Sequence, residues 1–221
     1  MLGSLLSLAS AAFFGLNSAT MRRAVLTGTV LQGMAISVPL GVPIFVIAAL
    51  SAGSFGMLWE FSGRAYILLA LGGIIHFIFG RYCNYRAIKA VGANLVRPIQ
   101  QTNIILTLVL AVWLLDESLT PLRLVGILLL LVGPFIMLRD RKKISAKFKN
   151  NKTNTFVPNY PEGILFGIGS AIGFGSSAIF IRAALAGNGP TAGIAGGIIS
   201  YGAAAIIMLI VIAHPARLMR V

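Results

Sequence analysis

The chain has 221 residues, 57% of them apolar and only 10% charged. A soluble domain carries about a quarter charged residues, so this composition fits a multi-pass membrane protein and excludes an ordinary soluble fold. The net charge of +13 raises nucleic acid as a partner, but no basic stretch is interleaved with the aromatics that base stacking needs. Loop Lys and Arg that orient membrane helices account for the charge instead. Cys83 is the single cysteine, so neither an internal disulfide nor a cysteine metal cluster can form.

Seven stretches are apolar over a length that spans hydrocarbon, for which a helix needs about 20 residues. The first, Leu2–Met21, has no Lys or Arg before Arg22 and so lacks the basic start of a signal peptide; it reads as a retained helix. Thr29–Leu50, Ala65–Arg81 and Asn94–Leu115 follow. After Leu115 comes a short polar break, Asp116-Glu-Ser-Leu-Thr-Pro-Leu-Arg123, then a fifth run, Leu122–Leu138. Pro121 suits the first turn of that fifth helix, where its missing N–H costs nothing. Thr120 suits its cap. The pair is expected to form a tight hairpin with its polar tip at the water interface. Residues 139–161, rich in Lys and Asn, form a basic linker, and Gly163–Ile181 and Ala192–Ala213 are the last two spans. Trp59, Tyr66 and Tyr160 flank apolar runs as an interfacial aromatic belt does.

The hairpin carries a resemblance. Leu-Leu-Asp-Glu-Ser-Leu-Thr-Pro-Leu-Arg-Leu-Val-Gly, followed by Gly133 seven residues after Gly126, resembles the EamA-type repeat of the drug/metabolite transporter superfamily at Glu117, Leu119, Thr120, Gly126 and Gly133. Asp116 stands where that family usually has Gly, and Ser118 where Arg is common. Tyr85-Arg-Ala-Ile-Lys, after the third span, is also similar to the family. The resemblance implies an all-α polytopic bundle of inverted five-helix repeats, of which seven transmembrane helices of an expected ten are present. Residues 1–138 would be the first repeat, 139–161 the linker, and 162–221 the start of a second repeat with two helices. It also implies a location in the inner membrane of a cell. Gly126 and Gly133 are expected to let another backbone approach closely.

An internal repeat supports the same organisation. With an offset of 160, Ser10, Ala11, Phe14, Gly15, Arg22 and Ala24 fall on identical residues, Ser170 to Ala184. Five helices separate the two copies, an odd number, so the second enters the membrane upside down. Charge sets the orientation. With the N-terminus outside, fifteen of the eighteen basic residues lie inside, including Arg22, Arg23, Arg81, Arg86, Lys89, Arg97 and the seven of the linker; Arg64, Arg123 and Arg182 lie outside. Members of the superfamily are commonly drawn with both termini in the cytoplasm, so on this point charge and resemblance diverge.

Transporters bind substrate near the bilayer midplane, where polar groups are costly. Helix four carries Asn94, Arg97, Gln100, Gln101 and Asn103. Arg97, Gln100 and Gln101 share one face at i, i+3 and i+4. They read as a substrate face, or as an arginine that snorkels to the inner headgroups beside glutamines that glue helices. Pro98 removes a backbone N–H, whereas the family's usual proline, near 102–104, is missing, which argues against a kink there. His76, in mid-helix three with Gly80 and Asn84 on its face, reads as substrate contact or proton coupling, or as a buried histidine bonded across to a carbonyl. Asn17 and its repeat partner Ser177 either line a cavity from both halves or bond helix to helix.

The sequence holds no metallopeptidase, nucleophile-elbow or phosphate-loop motif. Two histidines, His76 and His214, are too few for most histidine metal sites. No cofactor and no enzymatic activity are expected. The partners expected are a small-molecule substrate and the lipid bilayer, with a second copy or another chain completing the second repeat. The five acids, Glu60, Asp116, Glu117, Asp140 and Glu162, all lie in loops or near helix ends, so the expected cargo is neutral, zwitterionic or anionic. The alternative reading is a membrane scaffold that transports nothing.

Overall fold

The computed structural model describes residues 2–115, 120–122, 124–130, 132 and 157–213. Every regular element among them is helical, which is the solution open to a single chain that must satisfy its own backbone in hydrocarbon unless it closes a barrel. Six stretches are long and apolar enough to cross a membrane: Gly3–Thr27, Val30–Ser51, Gly63–Val91, Ala93–Leu114, Tyr160–Leu185 and Ala192–Ile212. The chain is thus an all-α, multi-pass membrane bundle. The expected fifth span is helical at 121–122, 124–130 and 132, where Leu124 N–H donates to the Thr120 carbonyl at 3.1 Å; the rest of it, with the hairpin tip and most of the linker, lies outside the described residues.

The first crossing is one helix, α1 (Leu2–Thr27), which ends at Gly28. Thr29 then caps the next helix, taking Gln32 N–H on its hydroxyl while the Gln32 side chain takes Thr29 N–H. The second crossing is two helices, α2 (Val30–Ser37) and α3 (Gly41–Ser51), separated by a turn at Pro39. A short 3-10 turn, Phe55–Trp59, leads to Ser62, whose hydroxyl caps α4 (Gly63–Ile74). The helix does not end there. It loosens into one π segment, Ile75–Gly80, and continues as α5 (Arg81–Val91), making a crossing of 29 residues.

This corrects the expected end of helix three at Arg81. A hydropathy window stops at arginine, but this arginine finds neutral hydrogen-bond partners inside the bundle, and the helix runs on past it. Gly92, at φ 87°, turns the chain into α6 (Ala93–Gln101), and α7 (Asn103–Leu115) continues after a break at Thr102.

Asn159, whose side chain accepts Glu162 N–H, starts α8 (Tyr160–Leu185), and Pro161 sits in its first turn. Asn159 N–H donates to the Ala90 carbonyl at 3.0 Å, and Arg86 pairs with Glu162 at 2.5 Å, so the start of α8 is tied to the end of α5. The last crossing is α9 (Ala192–Ile212).

Helix α8 is the axis of the bundle because its glycines leave room for the others. Gly167 lies where a Cβ would press on Ile99 at 2.9 Å, and a Cβ on Gly173 would stand 2.8 Å from the Gly80 Cα. Gly163 meets Val91 more closely still. On the far side, Gly73 of α4 lies directly against the Ser200 backbone of α9, and the Ser200 hydroxyl donates to the Leu69 carbonyl at 2.9 Å. Membrane helices associate through small residues of this kind. Gly126 was expected to do the same; among the described residues a Cβ there would meet nothing within 4 Å. Gly133 lies outside the described residues. The backbone approaches are made by α4, the π segment and α8 instead. Trp59 and Tyr160 are exposed at the ends of their spans, and the half-buried Tyr66 gives its hydroxyl to the Leu58 carbonyl.

Candidate functional site

A cavity of about 520 Å³ opens between α1, α2, the π segment with α5, α6–α7, α8 and α9. His76 stands midway along Gly63–Val91, Asn103 midway along Ala93–Leu114, and Tyr201 midway along Ala192–Ile212. The cavity therefore lies at the level of the bilayer midplane. Its volume is in the range of small-molecule sites, about 300–1,000 Å³.

The π segment aims helix three into this space. Arg81 N–H donates to the His76 carbonyl five residues back, so one extra residue is carried per turn. His76 and Arg81 are thereby brought to the same wall, with Phe77, Asn84 and Tyr85 beside them. Gly80, placed on that face by a regular α-helical period, is displaced from it and packs against Phe174, where its Cβ would be 3.0 Å from the ring.

His76 Nδ1 is 2.9 Å from Ser177 Oγ, and Ser177 Oγ is 3.0 Å from the Phe174 carbonyl. A carbonyl only accepts, so the arrangement that satisfies both contacts has Ser177 donating to Phe174 and His76 Nδ1–H donating to Ser177. Nε2 then keeps its lone pair. The imidazole is also clasped by Phe77 and Phe174, with ring centres at 4.6 and 4.7 Å.

Arg81 reaches across the cavity. Its Nη1 donates to Ser37 Oγ and its Nη2 to Tyr201 OH, both at 3.2 Å. The guanidinium lies over Phe77 at 5.0 Å and Tyr201 at 5.8 Å. Phe77 and Tyr201 are themselves stacked at 3.7 Å. Arg97 donates to Gln100 Oε1 at 3.1 Å and to Ser18, and covers the Phe14 ring at 4.4 Å. Its partners in the structure are side chains of the bundle.

A second cavity, of about 820 Å³, lies beyond Phe14 and Arg97, which line both spaces. Its other walls include Ser18, Arg22, Gly92, Asn94, Pro158 and Tyr160. Of these, Arg22, Gly92, Asn94, Pro158 and Tyr160 sit at or near span ends, at the end where the linker joins α8. Phe14 and Arg97 thus form a partition between a midplane cavity and a vestibule.

Helix four is broken at Thr102 without a proline at that position. The Thr102 hydroxyl donates to the Ile99 carbonyl at 2.6 Å, and its N–H bonds three residues back rather than four. Pro98, one turn earlier, has no N–H to give. The break is made by a threonine side chain that competes for the helical acceptor, not by the proline usual in the family at this place. The break places Asn103 on the cavity wall at the first turn of α7.

Of the residues singled out in the sequence, Asn17, His76, Arg97, Gln100 and Asn103 line the midplane cavity. Ser177, fully buried, stands one contact behind it through His76. Gln101 is half-buried and turned off that wall. Phe14, Ser37, Phe77, Arg81, Tyr85, Phe174 and Tyr201 were not singled out, and each lines the cavity. The signal for Tyr201 and Ser200 was present, since they are the polar pair in the middle of an otherwise apolar span.

A multi-pass bundle closed around a polar midplane cavity is the architecture of a membrane carrier. A model of the EamA-like transporter family matches residues 1–139, and the chain belongs to that family. The family is one of transporters rather than enzymes. No curated protein matches the chain.

Proposed function

We propose that the chain moves a small metabolite across the inner membrane by alternating access, with the midplane cavity as its substrate site. The observation that carries this reading is the partition. Phe14 and Arg97 separate a polar cavity from a vestibule that leads toward one face, and a carrier needs such a barrier to keep its site closed to one side. Asn17, His76, Gln100 and Asn103 supply hydrogen-bonding groups to the cargo, Ser177 orients His76, and Gln101 serves the helix packing behind them. Among the described residues no acid lines the cavity, which favours a neutral, zwitterionic or anionic cargo over a lipophilic cation, for which a midplane carboxylate is the usual counter-charge.

The duplicated motif supports inverted repeats at residues 1–138 and from 162 onward. Phe14 and Phe174, 160 positions apart, both line the cavity. One carries Arg97 on its face and the other carries His76. The excess of basic residues at the linker end supports an outside N-terminus and a cytoplasmic 139–161 linker.

The test uses a single cysteine at position 37 in a chain carrying Cys83→Ser. An impermeant thiol reagent should label it from the face away from the linker in the resting protein and from the linker face when solute drives the cycle. Labelling from one face under every condition would contradict alternation. The alternative, a scaffold that transports nothing, predicts that one-sided result.

A further inference from the structure

The geometry points to an anion clasp: Arg81, steadied by Tyr201 and Ser37, binds the carboxylate or phosphate group of the cargo, and Arg97 faces the same cavity. The inference rests on the carrier reading and narrows its substrate to small organic anions.

Among the described residues two guanidiniums line this space and no carboxylate does. Among the described residues the one ion pair is Arg86 with Glu162, away from the cavity. Arg81 has neutral partners, two hydroxyls and two aromatic faces. Arg97 likewise has a hydroxyl, an amide oxygen and a ring. A charged group at midplane depth is expensive unless something of opposite sign answers it. Arginine also keeps its proton in proteins, so neutralisation is closed to it. The remaining answer is a mobile counter-charge, which is the cargo.

The partners are suited to that exchange. Tyr201 and Ser37 accept from Arg81 through oxygen and keep their own protons for a second acceptor. Ser37 Oγ is 3.4 Å from Tyr85 OH, a third hydroxyl on the same wall. An arriving carboxylate or phosphate meets a planar fork of N–H donors flanked by O–H donors, the arrangement that favours arginine for such groups. A lysine would offer a point charge and lose the stacking on Phe77.

Lipid headgroups carry the same chemistry, so the experiment separates the two sources. The 221-residue chain is reconstituted in phosphatidylcholine vesicles, and its thermal unfolding is followed with inorganic phosphate, glycerol phosphate or succinate. Glycerol and succinamide serve as neutral counterparts. The expected result is that at least one soluble anion raises the unfolding temperature while its neutral counterpart does not. The apparent affinity should fall at least tenfold in Arg81→Gln and less in Arg81→Lys. Arg81→Lys also guards against a folding defect, because it keeps the charge.

Equal protection by neutral compounds, an unchanged response in Arg81→Gln, or no response to any anion would overturn the clasp. So would protection by phosphatidylglycerol vesicles alone, which would assign the site to lipid. Flux measured in the same vesicles keeps the two readings apart. Flux of neutral solutes alone would remove the clasp and leave the carrier. Anion binding without any flux would remove the carrier and leave the clasp.

Discussion

His76 and Ser177 are 101 positions apart in the chain and 2.9 Å apart in the bundle, imidazole Nδ1 to hydroxyl. The bond ties the π segment of helix three to the middle of α8, the helix on which the others pack. A contact at that junction fixes both the wall of the cavity and the seating of helix three on α8. Ser177→Ala removes the hydroxyl that takes the imidazole N–H and donates to the Phe174 carbonyl, and it leaves that N–H unanswered. It should cost about 1–3 kcal/mol, read as a lower midpoint in thermal unfolding. His76→Ala combined with Ser177→Ala should cost less than the sum of the two, with a coupling of about 0.5–3 kcal/mol. Strict additivity would mean that the bond does not form.

Gly41 lies outside the cavity but holds one of its walls. A Cβ at this position would overlap the Tyr201 ring. That ring is fixed between Phe77 and Phe45, with centres at 3.7 and 5.2 Å, and cannot swing aside freely. Gly41→Ala should therefore push Tyr201 away from Arg81 and weaken solute binding about tenfold, with helix content by circular dichroism unchanged. Binding equal to that of the wild type would show that Tyr201 does not position Arg81.

Gly73→Ala tests packing rather than binding. The added methyl meets the Ser200 backbone, which cannot move without shifting α9. Overpacking of this kind costs about 1–3 kcal/mol. The variant should lose stability in a detergent-denaturation series, while Gly126→Ala, whose methyl meets open space, should change it by no more than about 0.5 kcal/mol.

Phe14→Ala should breach the partition. Arg97 would lose the ring it covers, and the midplane cavity would join the vestibule. Counterflow exchange should then fall at least tenfold while passive leak of the same solute rises. Exchange at wild-type rate would show that the ring closes nothing.

The spans were legible because hydrocarbon permits few structures, so apolar run length alone locates them. Run length could not show that helix three continues past Arg81, since that arginine finds hydroxyls and rings on its own crossing and on two others. The π segment was hidden for a related reason: it is set by Gly80 packing on α8, a tertiary contact, and it shifts Gly80 off the face that the 3.6-residue period assigns to it. Thr102 breaks helix four through a side-chain bond that a search for proline overlooks. Polar residues at midplane pointed to the cavity wall where the helix was regular, as for Gln100, whereas the break at Thr102 is what brings Asn103 there. They failed at Gln101, where one residue of rotation separates cavity from packing face. The aromatic lining went unread because Phe14, Phe77 and Phe174 are indistinguishable in sequence from lipid-facing apolar residues.

The most direct test is solute counterflow in vesicles that hold only the purified 221-residue chain, with wild type beside His76→Ala and Arg81→Gln. The account predicts saturable exchange of a small organic anion in the wild type and at least tenfold slower exchange in both variants at equal amounts of folded protein. Exchange at the same rate in all three, or none in the wild type with any solute, would contradict it.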